Sequence, residues 1–182
     1  MPPPPAARAK VLHAFAEILV SQGERAATLD AVAERAGVSK GGLLYHFPTK
    51  EALVEGIAAY LGELVAADTE QMRADPEGPV AYLVRTSAHA DSEFELIYGA
   101  VATLARGSHA GAAEALVRAQ ASWKETLAEG VPHPTLVRAL VHMADGLAAD
   151  AEVRRAAGHP PLAASEVEDL VTLAQEIADL RS

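Results

Sequence analysis

Residues 28–47 read TLDAVAERAGVSKGGLLYHF, and this stretch decides the architecture. Thr28 is of a type that caps helix N-termini, and Asp30 puts a carboxylate in the first turn, where the helix dipole favours it. Leu29, Val32, Ala33 and Ala36 recur at helical spacing and give this helix one apolar face. Gly37 stands where a helix closes through a left-handed residue, a conformation glycine reaches without a Cβ penalty. Val38 can plug the angle that follows, and Ser39 offers a second N-cap two residues after the first helix stops. The pattern predicts a helix-turn-helix whose second helix covers Ser39 to about His46.

The second helix carries the functional signal. Its exposed positions are Ser39, Lys40, Gly41, Gly42, Tyr45 and His46. Glycine in a helix interior costs roughly 1 kcal/mol relative to alanine, so two in a row are a poor choice for packing alone. A helix that must bring its backbone close to another surface gains from having no side chain there. Lys40, Tyr45 and His46 can donate to phosphate oxygens, as can N–H groups at the helix start. Pro48 then breaks the chain, Thr49 caps the next helix and Lys50 takes its first position. A cation there opposes the dipole, so Lys50 is expected to serve something outside the fold. Taken singly, Lys40 and Lys50 read as solvated charges, His46 as a surface histidine and Phe47 as a core aromatic. Their joint placement around two capped helices is what points to DNA.

The run Gly37-Val38-Ser39-Lys40-Gly41, followed by Tyr45-His46-Phe47-Pro48-Thr49-Lys50-Glu51-Ala52-Leu53, resembles the N-terminal domain of the TetR family of bacterial transcriptional regulators. The similarity extends from about Arg8 to Ile57 and includes Phe15, Gly23, Thr28, Val32 and Ala33. By that resemblance Thr28, Ser39, Lys40, Tyr45, His46 and Lys50 fall where family members touch DNA backbone. Gly41 and Gly42 fall where bases are approached, and Leu44 belongs to the same contact set. Two positions depart from the family pattern: Leu44 replaces the usual tyrosine, and Gly42 replaces threonine, alanine or asparagine.

The net charge of −10 looks wrong for a nucleic-acid binder until it is divided. Residues 1–55 hold six basic and six acidic residues; residues 56–182 hold nine basic and nineteen acidic ones, and carry all of the excess. Screening confines the influence of distant surface charge to about 8–10 Å, so a neutral head on an acidic body can still bind through a local patch. No broad basic surface exists to coat DNA non-specifically. Half the 182 residues are hydrophobic and only 4% aromatic, with abundant alanine, which suits close-packed helices. No apolar run approaches the roughly 20 residues of a membrane span. The opening MPPPPAAR lacks a signal-peptide core and reads as a short extended arm. Cysteine is absent, which removes disulfides, thiolate metal sites and thiol nucleophiles, and a cytoplasmic protein is the simplest expectation.

An all-α chain of about nine helices is expected: a three-helix DNA-binding domain over residues 1–55 and a helical body over 56–182. Helix one covers residues 6–22 with Val11, Leu12, Phe15, Ile18 and Leu19 on one face. A long helix from Thr49 to about Met72 would span on the order of 35 Å. Asp75-Pro76-Glu77-Gly78-Pro79 breaks it. Further helices are expected over 79–90, from a capping box at Ser92-Glu93-Phe94-Glu95 to about Gly107, over 108–129, and through Leu136 to about Ala157. Gly158-His159-Pro160-Pro161 is a stop, and a second capping box, Ser165-Glu166-Val167-Glu168, opens the last helix.

The last two helices carry apolar stripes wider than one neighbour would cover: Leu136, Leu140 and Leu147, then Val167, Leu170, Val171, Ala174 and Ile177. They read as a homodimer interface, in which a two-fold axis would pair two heads on a palindromic operator in double-stranded DNA. The alternative for these stripes is an internal helical hairpin. Met72, Tyr82, His89, Phe94, Tyr98, Trp123, His142 and Met143 are the candidates for a small-molecule pocket in the body. Together with the resemblance, this reads as a ligand-responsive regulator, in this family most often a repressor. The alternative is a DNA-binding protein controlled by a protein partner or without a ligand. Catalysis finds no support, since no P-loop, dinucleotide fingerprint or nucleophile elbow occurs. His142 and Asp145 lack a third metal ligand, and Asp91, Glu93 and Glu95 are explained by the helix start. No cofactor or metal is expected.

Overall fold

The computed structural model describes residues 5–89, 92–107 and 109–180, which form nine helices and no strand. They are α1 Pro5–Gln22, α2 Leu29–Ala36, α3 Lys40–His46, α4 Lys50–Ala74, α5 Pro79–Ser87, α6 Glu93–Arg106, α7 Ala110–Ala128, α8 Pro134–Ala156 and α9 Ala164–Asp179. No described helix is long and apolar enough to cross a membrane. Residues 1–4 of the expected N-terminal arm, Asp91 and Ser108 lie outside the described residues; from Pro5 onward the chain is already helical.

The packing forms two units. Unit 1 contains residues up to Leu64 together with Glu93–Ala119; unit 2 contains Val65–Ser92 and Gln120–Ser182. This differs from a division at residue 55, because α6 and the first half of α7 pack with the N-terminal helices. In unit 1, α1 packs against α2, α3 and α6, with Val11, Leu12, Phe15, Ile18 and Leu19 all buried as their spacing predicts. Leu53, Ile57 and Leu61 of α4 are fully buried on the same period. Gly56 is where α4 passes Phe47: a Cβ there would lie 2.5 Å from Phe47 Cε1 and 3.3 Å from Leu12 Cδ2. Only glycine fits this crossing with Phe47 in place.

In unit 2, α5 packs against both α8 and α9. Gly78, at φ 90°, makes the sharp entry to α5, and Pro79 follows at the first helical position, where its missing N–H costs nothing. Arg85 fastens α5 to α9 through two bonds to Glu168, each 2.8 Å, and to Glu77 at 2.6 Å. These carboxylates raise the Arg85 guanidinium further above its already high range. Gly158 ends α8 in a left-handed turn at φ 70°, with the His159 N–H bonded to Arg154 O at 2.9 Å. The capping box expected at Ser165 does not form: the helix starts two residues earlier and keeps only the carboxylate half of such a box, since alanine has no side-chain acceptor. Ala163 is the N-cap, its N–H donates to Glu166 Oε2 at 2.8 Å, and Ser165 lies inside the first turn. Glu168, the expected reciprocal acceptor, is taken by Arg85 instead.

Candidate nucleic-acid interface

The helix-turn-helix assembles from local signals. Thr28 Oγ1 accepts the Ala31 N–H at 3.2 Å and starts α2. Gly37 ends it at φ 65°, with Gly37 N–H on Glu34 O and Val38 N–H on Ala33 O, the two bonds of a Schellman closure. Ser39 Oγ accepts the Gly42 N–H at 3.1 Å and starts α3. Val32, Leu43 and Phe47 are buried and fix the angle between the helices.

Most of the polar residues picked from sequence are left on the surface. Thr28, Ser39, Lys40, Gly41 and Gly42 are exposed, and Tyr45 is 68% exposed, so it is not a core aromatic. Leu44 is half-buried. His46 is held edge-on to the Tyr45 ring at 5.4 Å, and its Nε2 is buried without a hydrogen-bond partner. Any outward contact by His46 therefore falls to Nδ1. Nothing lies within 4 Å of a Cβ built on Gly41, whereas one on Gly42 would sit 3.2 Å from the capping Ser39 Oγ. Gly42 thus has a local reason to be glycine and Gly41 has none.

Lys50, expected to serve something outside the fold, donates to Glu24 O at 2.8 Å, and its ammonium lies 3.5 Å from Glu24 Oε1. His109 Nε2 reaches the same Oε1 at 3.0 Å. The bond from His109, then the charge of Lys50, holds the Glu24 carboxyl below the usual range. Lys40 bonds Asp30, with Nζ 2.8 Å from Oδ1 and 3.1 Å from Oδ2. Arg35 Nε bonds Glu17 Oε2 at 2.8 Å. Sequence reading assigned Asp30 to the dipole alone and missed Glu24, because partners 10 and 26 residues apart leave no periodic trace.

The eight pocket candidates fall in both units. Phe94 and Tyr98 stack at 6.2 Å in unit 1. In unit 2, Tyr82 Oη and Trp123 Nε1 converge on Asp68, at 2.8 Å from Oδ1 and 2.8 Å from Oδ2. Burial, then Asp68, pushes the Tyr82 phenol well above its usual range. Met72, one turn beyond Asp68 on α4, is fully buried; Met143 is half-buried; His89 is exposed, as is His142, which lies 3.6 Å from Asp145. Asp68 was legible in principle, since it falls on the apolar stripe Ile57, Leu61, Val65, Met72 as its one acid. An open groove of about 330 Å³ in unit 1, lined by Lys10, His13, Glu17, Arg35 and Glu93 among others, involves none of the eight. Among the described residues no three His, Cys, Asp or Glu side chains are grouped as a metal site.

Of the interface candidates, Leu140, Val167, Val171 and Ala174 are buried within their own chain, where α5 covers α8 and α9. The internal-hairpin alternative therefore accounts for these four. Leu136, Leu147, Leu170 and Ile177 are half-buried, and Leu173, which the stripe reading omitted, is 47% exposed between Leu170 and Ile177.

A capped helix-turn-helix that buries its apolar residues and exposes Ser39, Lys40, two glycines and Tyr45 defines a DNA-binding protein of the helix-turn-helix class. Residues 11–57 match the family described as bacterial regulatory proteins, tetR family. The match covers the N-terminal helix-turn-helix region and not the remainder of the chain. Over 52 residues it is 36% identical to the HTH-type transcriptional regulator SrpR of Pseudomonas putida, covering 29% of this chain and 24% of SrpR, so the match spans about a quarter of that relative's length. The fold extends the likeness over nearly the whole chain. A transcriptional regulator from Rhodococcus sp. Rha1 superposes with TM-score 0.72 at 22% identity, covering 94% of this chain and 95% of that one. The multidrug binding protein EbrR, solved with imidazole, gives TM-score 0.65 at 21% identity, with 96% of each chain covered.

Proposed function

We propose that this chain is a dimeric repressor of transcription that grips a palindromic operator through α3 and releases it when a small molecule binds. DNA binding resides in residues 1–55, and effector binding and dimerisation in residues 56–182, in the cytoplasm. The observation that carries the reading is the exposed face of α3, where Lys40, Gly41, Gly42 and Tyr45 stand clear of the core beside two satisfied helix caps. Tyr45, His46, Thr28, Ser39, Lys40 and Lys50 contact phosphates, and Gly41, Gly42 and Leu44 approach the bases. Lys50 reaches a phosphate with donors left over from its bond to Glu24.

The half-buried stripe Leu136, Leu147, Leu170 and Ile177, joined by Leu173, meets its copy across a two-fold axis. Tyr82, Trp123 and Met72, with Asp68 as their polar centre, are the effector contacts this arrangement favours; EbrR, with the same fold, binds small molecules. The test is selection of duplexes from a random-sequence library. The protein should enrich an inverted repeat, and Tyr45→Ala, which removes an exposed ring without touching the core, should weaken binding to it. Failure to enrich any sequence would refute the reading.

A further inference from the structure

Every described cation of the helix-turn-helix segment and of the first position of α4 faces a carboxylate. Arg35 has Glu17, Lys50 has Glu24 and Lys40 has Asp30. The third pair stands apart, because it is the one whose cation belongs to α3 itself. Asp30 is the second residue of α2 and Lys40 the first of α3, so the pair crosses the turn beside the exposed start of α3. Both carboxylate oxygens are within 3.1 Å of the ammonium. The Lys40 side chain is 59% exposed and that of Asp30 72% exposed. Pairs so exposed contribute about 0–1 kcal/mol to folding, so stability alone is a weak reason for this one.

We propose that Asp30 sets the sequence-independent share of DNA affinity, by holding and offsetting the one lysine at the start of the recognition helix. This rests on the DNA-binding reading above. A free lysine that neutralises a phosphate displaces about one counterion from the duplex, and that release is the salt-dependent gain. A lysine already neutralised by a carboxylate releases less, and the carboxylate itself faces the phosphates. Engaging DNA then exchanges one ion pair for another. The approach of Gly41, Gly42 and Leu44 to the bases involves no side-chain charge and loses nothing by this, so more of the binding depends on sequence. The head becomes a weak binder of arbitrary DNA, in keeping with six basic and six acidic residues over 1–55.

The experiment titrates the selected inverted repeat and a scrambled duplex at 50 and 200 mM salt, with the full-length protein, Asp30→Asn, Lys40→Ala and the double variant. Asparagine keeps the shape and removes the charge, and a thermal melt separates any loss of helix-dipole stabilisation from the binding readout. Asp30→Asn should bind both duplexes more tightly, with a salt slope steeper by about 1 and an advantage over wild type that falls about threefold between the two salts. Lys40→Ala should shift affinity and slope the other way. The double variant should return near the wild-type slope. An unchanged slope in Asp30→Asn would overturn the proposal by placing Asp30 away from the phosphates. Weaker binding of the selected duplex alone would overturn it too, by making Asp30 a base contact. If neither wild type nor any variant binds either duplex, the DNA-binding reading itself falls, and Asp30 with it.

Discussion

The helix-turn-helix and the α8–α9 pair were both marked in the sequence by apolar periodicity, and they repaid that reading differently. In residues 28–47 the signals that set the helix ends act on backbone three to five residues away. Thr28 caps Ala31, Ser39 caps Gly42, and Gly37 closes the helix that Thr28 opened. Such signals mean the same thing whatever the rest of the chain does. In α8 and α9 the signal was the width of an apolar stripe, and a stripe does not name what covers it. Leu140, Val167, Val171 and Ala174 are buried within the chain, where α5 packs on α8 and α9, while Leu136, Leu147, Leu170 and Ile177 stay half-buried and Leu173 exposed. Local hydrogen-bond chemistry is legible from sequence; the assignment of apolar area among competing neighbours is not.

The sharpest contrast is between two helical glycines. Gly56→Ala should destabilise the protein by about 1–3 kcal/mol, because its methyl would overlap Phe47 at 2.5 Å in a packed core. Gly146→Ala, in α8 with nothing within 4 Å of its Cβ, should raise stability by up to about 1 kcal/mol. Chemical denaturation of both variants checks this, and equal effects would erase the distinction between a filled crossing and an open face.

The next largest effect concerns assembly. Leu173→Glu changes an exposed residue, so its fold should hold to within about 0.5 kcal/mol while sedimentation shows monomers. Val171→Glu, three-hundredths exposed, should not fold. A Leu173→Glu protein that remains dimeric would assign the stripe to another role.

The smallest effect is on pH. The Glu24 carboxyl is held low by His109 and Lys50, so the unfolded chain binds its proton more readily than the folded one. Its contribution is therefore full above about pH 4.5 and is lost as pH falls through the lower folded value. The melting-temperature gap between wild type and Glu24→Gln should be widest near neutrality and close in acid. A gap that does not change with pH would mean the Glu24 charge does not matter.

The same division governs what was visible of the candidate site. Seven of its positions, Thr28, Ser39, Lys40, Gly41, Gly42, Tyr45 and Lys50, could be named from caps, glycines and donors in one short run. The carboxylates that hold the lysines could not, since Lys50 and His109 meet at Glu24 only after α1, α4 and the α6–α7 connection have come together. The inward turn of His46 Nε2 was equally hidden, because a rotamer is set by packing and not by type. Among the pocket candidates, residue type suggested Tyr82 and Trp123, but their meeting at Asp68 depends on three helices.

The central claim is that the exposed face of α3 docks on DNA, twice per assembly. A hydroxyl-radical footprint of the wild-type protein on its selected inverted repeat tests it directly. The account predicts two symmetric protected stretches on one face of the duplex, their centres one helical turn or a whole multiple apart, weakened together by Tyr45→Ala. A single protected stretch, or a footprint that Tyr45→Ala leaves unchanged, would contradict it.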